Sequence, residues 1–167
     1  MELNLQHVFG NSGFGLAANY TYVEPSTFPN AVTEPRYVGL ELPLQQLSKH
    51  TYNFSVFYER DRLSARLAYN WRSEYLLSIG PNGYNGTNNN LDGESIAWKL
   101  PVYSDSFGQL DGSIFYRFSD NVQIGLEMNN LNNAEQRTLM DQNGAGKRTT
   151  SWYVNDRRYA ATLRFTF

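Results

Sequence analysis

Polar and apolar side chains alternate with period two along most of this chain, in blocks of about 8 to 12 residues that end at turn-forming residues. Such blocks predict strands with two unlike faces, because successive side chains on a strand point to opposite sides. In Glu2 to Phe9, Leu3, Leu5 and Phe9 oppose Asn4, Gln6 and Val8, and Gly10-Asn-Ser-Gly13 then supplies a tight turn. Phe14 to Val23 sets Phe14, Leu16, Ala18, Tyr20 and Tyr22 against Gly15, Ala17, Asn19 and Thr21. A second hairpin turns at Glu59 to Arg62 and carries Tyr52, Phe54, Val56 and Tyr58, then Leu63, Ala65, Leu67, Tyr69 and Trp71, on one face. Asn53, Ser55, Glu59, Ser64, Arg66, Asn70 and Arg72 fall on the other. A third hairpin sets Leu110, Ile114, Tyr116 and Phe118 before a turn at Ser119 to Asn121, and Val122, Ile124, Leu126 and Met128 after it. The last strand, Arg158 to Phe167, alternates Tyr159, Ala161, Leu163, Phe165 and Phe167 with Arg158, Thr162, Arg164 and Thr166.

Three long connections between these blocks are expected to be loops. They are Glu24 to Leu47, punctuated by Pro25, Pro29, Pro35 and Pro43; Ser78 to Ser106, rich in Gly and Asn; and Asn129 to about Asp156. Turns of a few residues thus alternate with loops of roughly 25 to 30, the rhythm of short periplasmic turns and long external loops in outer-membrane barrels. At ~3.3 Å per residue and a tilt near 45°, the strands match such a wall in length. The expected fold is all-β, an antiparallel transmembrane β-barrel wall of about seven strands, with its C-terminus on the periplasmic side. An odd count makes the first and last strands run parallel, and bare strand edges are not tolerated in lipid.

Composition supports that picture. Hydrophobic residues make up 41% and aromatics 15%, led by 12 Tyr and 10 Phe, yet mean hydropathy is −0.54, so rings are diluted with polar groups residue by residue. That mixture suits a wall between lipid and water better than a close-packed core. No run approaches the ~18 consecutive apolar residues of a helical span. A net charge of −2 gives no basic field for nucleic acid, which excludes it as a partner. Cysteine is absent, so neither a disulfide framework nor a thiolate metal site is expected. Strand-like residues follow Met1 with no export signal between, so the chain reads as a piece of an exported protein.

Candidate chemistry is sparse. His7 and His50 lack partners at metal-ligand spacing, and Gly144-Ala-Gly-Lys147 lacks the Gly at 141 and the Ser or Thr at 148 that a phosphate loop needs. Asn88-Asn-Asn-Leu-Asp-Gly93 lacks the leading Asp of a calcium loop and has Lys99 in place of the bidentate Glu. No catalytic set is legible; Ser48 with His50 would need a carboxylate from elsewhere. No enzyme, cofactor or metal site is therefore expected. The loop aromatics Tyr84, Trp98, Trp152 and Tyr153, beside amides Asn85, Asn88 and Asn90, are the candidate ligand contacts, since rings and amides together stack on and hydrogen-bond a sugar or chelate. Arg66, Arg72, Arg117, Arg164 and Glu127 lie on the polar faces, where a wet lumen would tolerate them.

Several stretches resemble the C-terminal part of TonB-dependent outer-membrane receptors: Glu2-Leu-Asn-Leu5, Ala17-Ala-Asn-Tyr-Thr-Tyr22, Leu42-Pro with Ser48-Lys-His-Thr-Tyr-Asn53, Arg66-Leu-Ala-Tyr-Asn-Trp-Arg72, Leu110-Asp-Gly-Ser113, Glu127-Met-Asn-Asn-Leu-Asn-Asn133 and Tyr159 to Phe167. The resemblance implies residues 1–167 as a partial barrel, about seven of roughly 22 strands, with no plug domain in this stretch. It implies a place in the bacterial outer membrane and import of a scarce nutrient of siderophore, cobalamin or carbohydrate type. The implied partners are membrane lipid, the outer-membrane assembly machinery and the TonB system, reached through an N-terminal part not in this chain. Tyr159, Leu163, Phe165 and Phe167 resemble the terminal signal read by that machinery. The rival expectation is a complete eight-stranded barrel with a structural or adhesion role, its extra strand drawn from Arg36 to Leu44.

Overall fold

The computed structural model describes residues 1–29, 41–79, 87–89, 95–97, 101–142 and 146–167. The seven expected strands are present: β1 (Glu2–Val8), β2 (Phe14–Tyr22), β5 (His50–Arg60), β6 (Leu63–Arg72), β11 (Phe107–Ser119), β12 (Val122–Asn129) and β15 (Arg158–Phe165). They form one antiparallel sheet in the order β1-β2-β5-β6-β11-β12-β15. Tight turns join β1 to β2, β5 to β6 and β11 to β12 at one end, where Gly10, Gly13 and Asp61 adopt positive φ. The sheet is open, with β1 and β15 as its edges.

Register fixes the faces, because directly paired residues share a side. Leu16 pairs with Val56 and Val56 with Leu67; Ala65 pairs with Ile114 and Ile114 with Leu126. Phe54, Val56, Leu67, Ile114 and Leu126 are exposed and Tyr69 is half-buried, so among the described residues no second sheet covers the apolar face. That excludes a soluble sandwich, whose apolar face would be its core. His7 also falls on this face, opposite Leu16 and edge-on to Phe9 at 4.6 Å. Towards the long connections the same face ends in rings, where Tyr20 pairs with Tyr52 and Tyr52 stacks on Trp71 at 5.0 Å. Such a row of rings is the kind of aromatic belt found at a membrane interface.

The long connections are not the plain loops expected from the sequence. β7 (Tyr75–Ile79) starts before Ser78 and runs into the second connection, which also holds β10 (Pro101–Ser104); Asn129 to Asp156 holds β13 (Glu135–Gln142) and β14 (Gly146–Val154), and the four form a second sheet in the order β14-β13-β10-β7. β7 follows β6, β10 precedes β11, β13 follows β12 and β14 precedes β15, so neighbours in the wall remain neighbours above it. Ribbons β3 (Thr27–Pro29) with β4 (Glu41–Pro43), and β8 (Thr87–Asn89) with β9 (Ser95–Ala97), complete the elements. Pro29 and Pro43 are accommodated because a two-stranded ribbon has only edges. Of the Arg36 to Leu44 segment, Glu41–Pro43 pairs with Thr27–Pro29 rather than with the wall, and 36–40 lie outside the described residues.

One joint between the sheets is a knot of amides. Asn130 and Asn133 take positive φ, a conformation asparagine tolerates. Asn130 is 3% exposed; its Nδ2 donates to the carbonyls of Ala134 and Asn155, and its Oδ1 accepts from Ala134 N at 2.6 Å. Its own N–H donates to Asp111 Oδ1 at 2.9 Å. Asn132 accepts from Leu110 N and donates to Gly108 O. The stretch Asn129-Asn-Leu-Asn-Asn133 thus ties β11, the end of β12 and the link between β14 and β15 together where wall becomes outer sheet.

Candidate functional site

The polar face of the wall is ordered into rows that cross the strands. Asn4 pairs with Asn19, Asn19 with Asn53, Asn53 with Asn70 and Asn70 with Gln109, giving five carboxamides on five adjacent strands. The next row towards the tight turns runs Gln6, Ala17, Ser55, Ala68 and Asp111, mostly small. Large side chains beside small ones make a trough of 440 Å³, lined by Asn4, Asn19, Asn53 and Asn70 on one side, with Ala17, Ser55 and Ala68 as floor and Arg66 on the other side. A neighbouring hollow of 280 Å³ is lined by Arg66, Asp111, Ser113 and Glu127.

Further towards the turns, two rings lie across glycines of the adjacent strand. Gly15 faces Phe57 and Gly125 faces Phe115, and a Cβ at either glycine would overlap the ring. Each ring covers backbone that a side chain would otherwise shield, and the glycine provides the room. Arg117, Gln123 and Arg164 form the row nearest the turns, so the expected lumen charges Arg66, Arg117, Arg164 and Glu127 do share the polar face. Arg72, at the opposite end, packs against the rings of Tyr75 and Phe107, with its guanidinium 4.9 and 5.8 Å from their centroids. Its Nη2 reaches Ser104 Oγ at 3.5 Å, whereas its buried Nε has no hydrogen-bond partner.

In the outer sheet, Lys147 pairs with Glu74 and stands 3.8 Å over the Tyr103 ring. Burial raises the Tyr103 phenol above its ordinary value, and the carboxylates of Asp141 and Glu74 add to the shift. Trp152 and Tyr153, expected in a loop, instead sit on β14, an edge strand of that sheet. As consecutive strand residues they point to opposite faces of that sheet. Trp152 donates from Nε1 to Glu135 Oε2 at 3.0 Å and lies under Arg137 at 5.1 Å. Tyr84, Asn85, Asn90 and Trp98 lie outside the described residues; Asn88 is on β8.

His50 is likewise placed by its strand rather than by a site. Its Nδ1 hydrogen-bonds Tyr20 OH at 2.8 Å and its ring stands 5.2 Å from Tyr22, within the aromatic belt. Among the described residues no three His, Cys, Asp or Glu side chains converge as metal ligands. The carboxamide row is what sequence reasoning missed. Each amide was legible as a polar-face residue, but their alignment needed the register.

The wall is two-faced and antiparallel, with short turns at one end and long extensions at the other, and the family comparison agrees with it. Residues 1–131 match the family described as TonB dependent receptor-like, beta-barrel. The chain belongs to that family. No curated protein and no solved structure matches it. The match spans β1 to β12 and ends within the amide joint, at Leu131. TonB-dependent receptors are outer-membrane transport proteins rather than enzymes, and work with the TonB system on small-molecule nutrients. In a receptor wall of this kind an apolar face meets lipid and a polar face meets the lumen.

Proposed function

We propose that residues 1–167 form the C-terminal strands of a larger receptor barrel that imports a nutrient of siderophore, cobalamin or carbohydrate type. The observation that carries this reading is the open seven-stranded sheet with unlike faces. Its edges, β1 and β15, run in the same direction, so antiparallel closure requires an odd number of further strands. Each unsatisfied backbone group against lipid costs about 1–3 kcal/mol, and a bare edge of several such groups would offset a typical domain stability of about 5–15 kcal/mol. Tyr159, Leu163 and Phe165 line the apolar face of β15 and are exposed, which supports a role for them, with Phe167, as the signal read by the assembly machinery.

The 167-residue chain refolded alone in detergent should give no monodisperse, heat-modifiable monomer. Such a monomer would overturn the reading in favour of a complete small barrel. Within the full-length receptor, replacing Phe165 and Phe167 by Ser should lower the folded amount in the outer membrane while synthesis is unchanged. Uptake of ferric chelates, cobalamin and oligosaccharides, compared in cells with and without the receptor and with and without TonB, then tests import itself. No TonB-dependent difference for any of them would refute it.

A further inference from the structure

We propose that the lumen trough beside the carboxamide row is a subsite for a neutral polyhydroxylated molecule, an oligosaccharide; this rests on the import reading above and names its substrate class. A carboxamide carries both a donor and an acceptor and no charge, which matches a hydroxyl group and gives no preference to an ion. Neighbouring strands lie ~4.8 Å apart, so the row repeats the same pair of groups at short, even intervals, as linked sugar rings repeat their hydroxyls. Asn4 and Asn19 are already hydrogen-bonded to each other, and among the described residues Asn53 and Asn70 make no side-chain hydrogen bond and are exposed. The floor of Ala17, Ser55 and Ala68 lets a sugar ring approach the sheet closely.

Charge is set aside from this strip. Arg66, which lines the trough, also lines the neighbouring hollow, whose lining includes Asp111 and Glu127. Arg72 packs against Tyr75 and Phe107 rather than lining the trough. An anionic chelate would meet two carboxylates beside that one cation, whereas an uncharged ligand keeps every amide. The row also lies next to the level of Tyr20, Tyr52 and Trp71, at the end of the wall with the long extensions, where an incoming ligand arrives first.

The test uses the full-length receptor solubilised from outer membranes and titrated with maltodextrin and xylan fragments, ferric citrate and a neutral decapeptide. A neutral oligosaccharide should bind, and Asn53→Leu with Asn70→Leu should raise its Kd roughly tenfold or more while the heat-modifiable fraction is unchanged. If that pair fails to assemble, Asn70→Ala alone should raise Kd by about threefold to tenfold. Sugar binding untouched by these changes, no binding by either sugar, or ferric citrate or the peptide as the ligand the changes weaken would each overturn the proposal. TonB-dependent import of a charged chelate that survives the Asn changes would sink the oligosaccharide subsite and leave the import reading standing. Absence of any import by the folded receptor would sink the import reading first.

Discussion

The wall sheet and the outer sheet are built by the same stretches of chain yet obey different rules. β6, β11, β12 and β15 keep one apolar face in strict alternation, with Leu67, Ile114, Leu126 and Leu163 all exposed on it. Their continuations β7, β10, β13 and β14 do not. Among the described residues the outer sheet buries only a few side chains, such as Leu76 and Ser104 at 0% exposure and Thr138 at 8%. It is secured by polar contacts: Thr138 with Thr150, Lys147 with Glu74, and Trp152 with Glu135 and Arg137. The solvent accounts for the difference. Lipid demands a continuous apolar surface and full backbone pairing, whereas water on both sides demands neither.

The contrast breaks most sharply with a charge on each sheet. Leu67→Arg, mid-strand on the lipid face, should destabilise the folded receptor by about 2–4 kcal/mol in urea titrations in liposomes. Val154→Arg, on exposed β14, should stay within about 0.5 kcal/mol. Equal effects would mean that the two sheets share one environment.

The joint comes next. Asn130→Ala removes an amide that makes three side-chain hydrogen bonds and puts alanine at φ 57°, which should cost about 2–3 kcal/mol. Limited proteolysis should then cut the β13–β14 hairpin while the wall stays resistant. Simultaneous loss of both sheets would show that they unfold as one unit.

Within the wall, Gly125→Ala should cost about 1–3 kcal/mol, because the Phe115 ring must lift away. Once Phe115→Ala is in place the same change should be nearly neutral, and a double-mutant cycle measures the coupling. Additive losses would mean that ring and glycine do not act as a pair. A smaller loss than at Gly125 is expected for Trp152→Ala, about 0.5–1 kcal/mol from an exposed cation–π contact, confined to the outer sheet. A loss of wall stability on that change would place Trp152 in the wrong role.

Period-two alternation by itself determined the seven wall strands, their faces, the three tight turns and the membrane reading, because lipid on one side writes a continuous pattern into the sequence. Phe54, Val56 and Leu67 could be assigned outward without coordinates for that reason. The outer strands were not legible, since Glu135–Gln142 and Gly146–Val154 meet water and carry no such constraint; their pairing follows from wall neighbours that deliver them side by side. Trp152 and Tyr153 looked like one aromatic pair in a loop, and only strand geometry separated them onto two faces. The carboxamide row is also tertiary: Asn4, Asn19, Asn53, Asn70 and Gln109 are up to 105 positions apart in the chain and become one strip because backbone hydrogen bonding sets five strands in register.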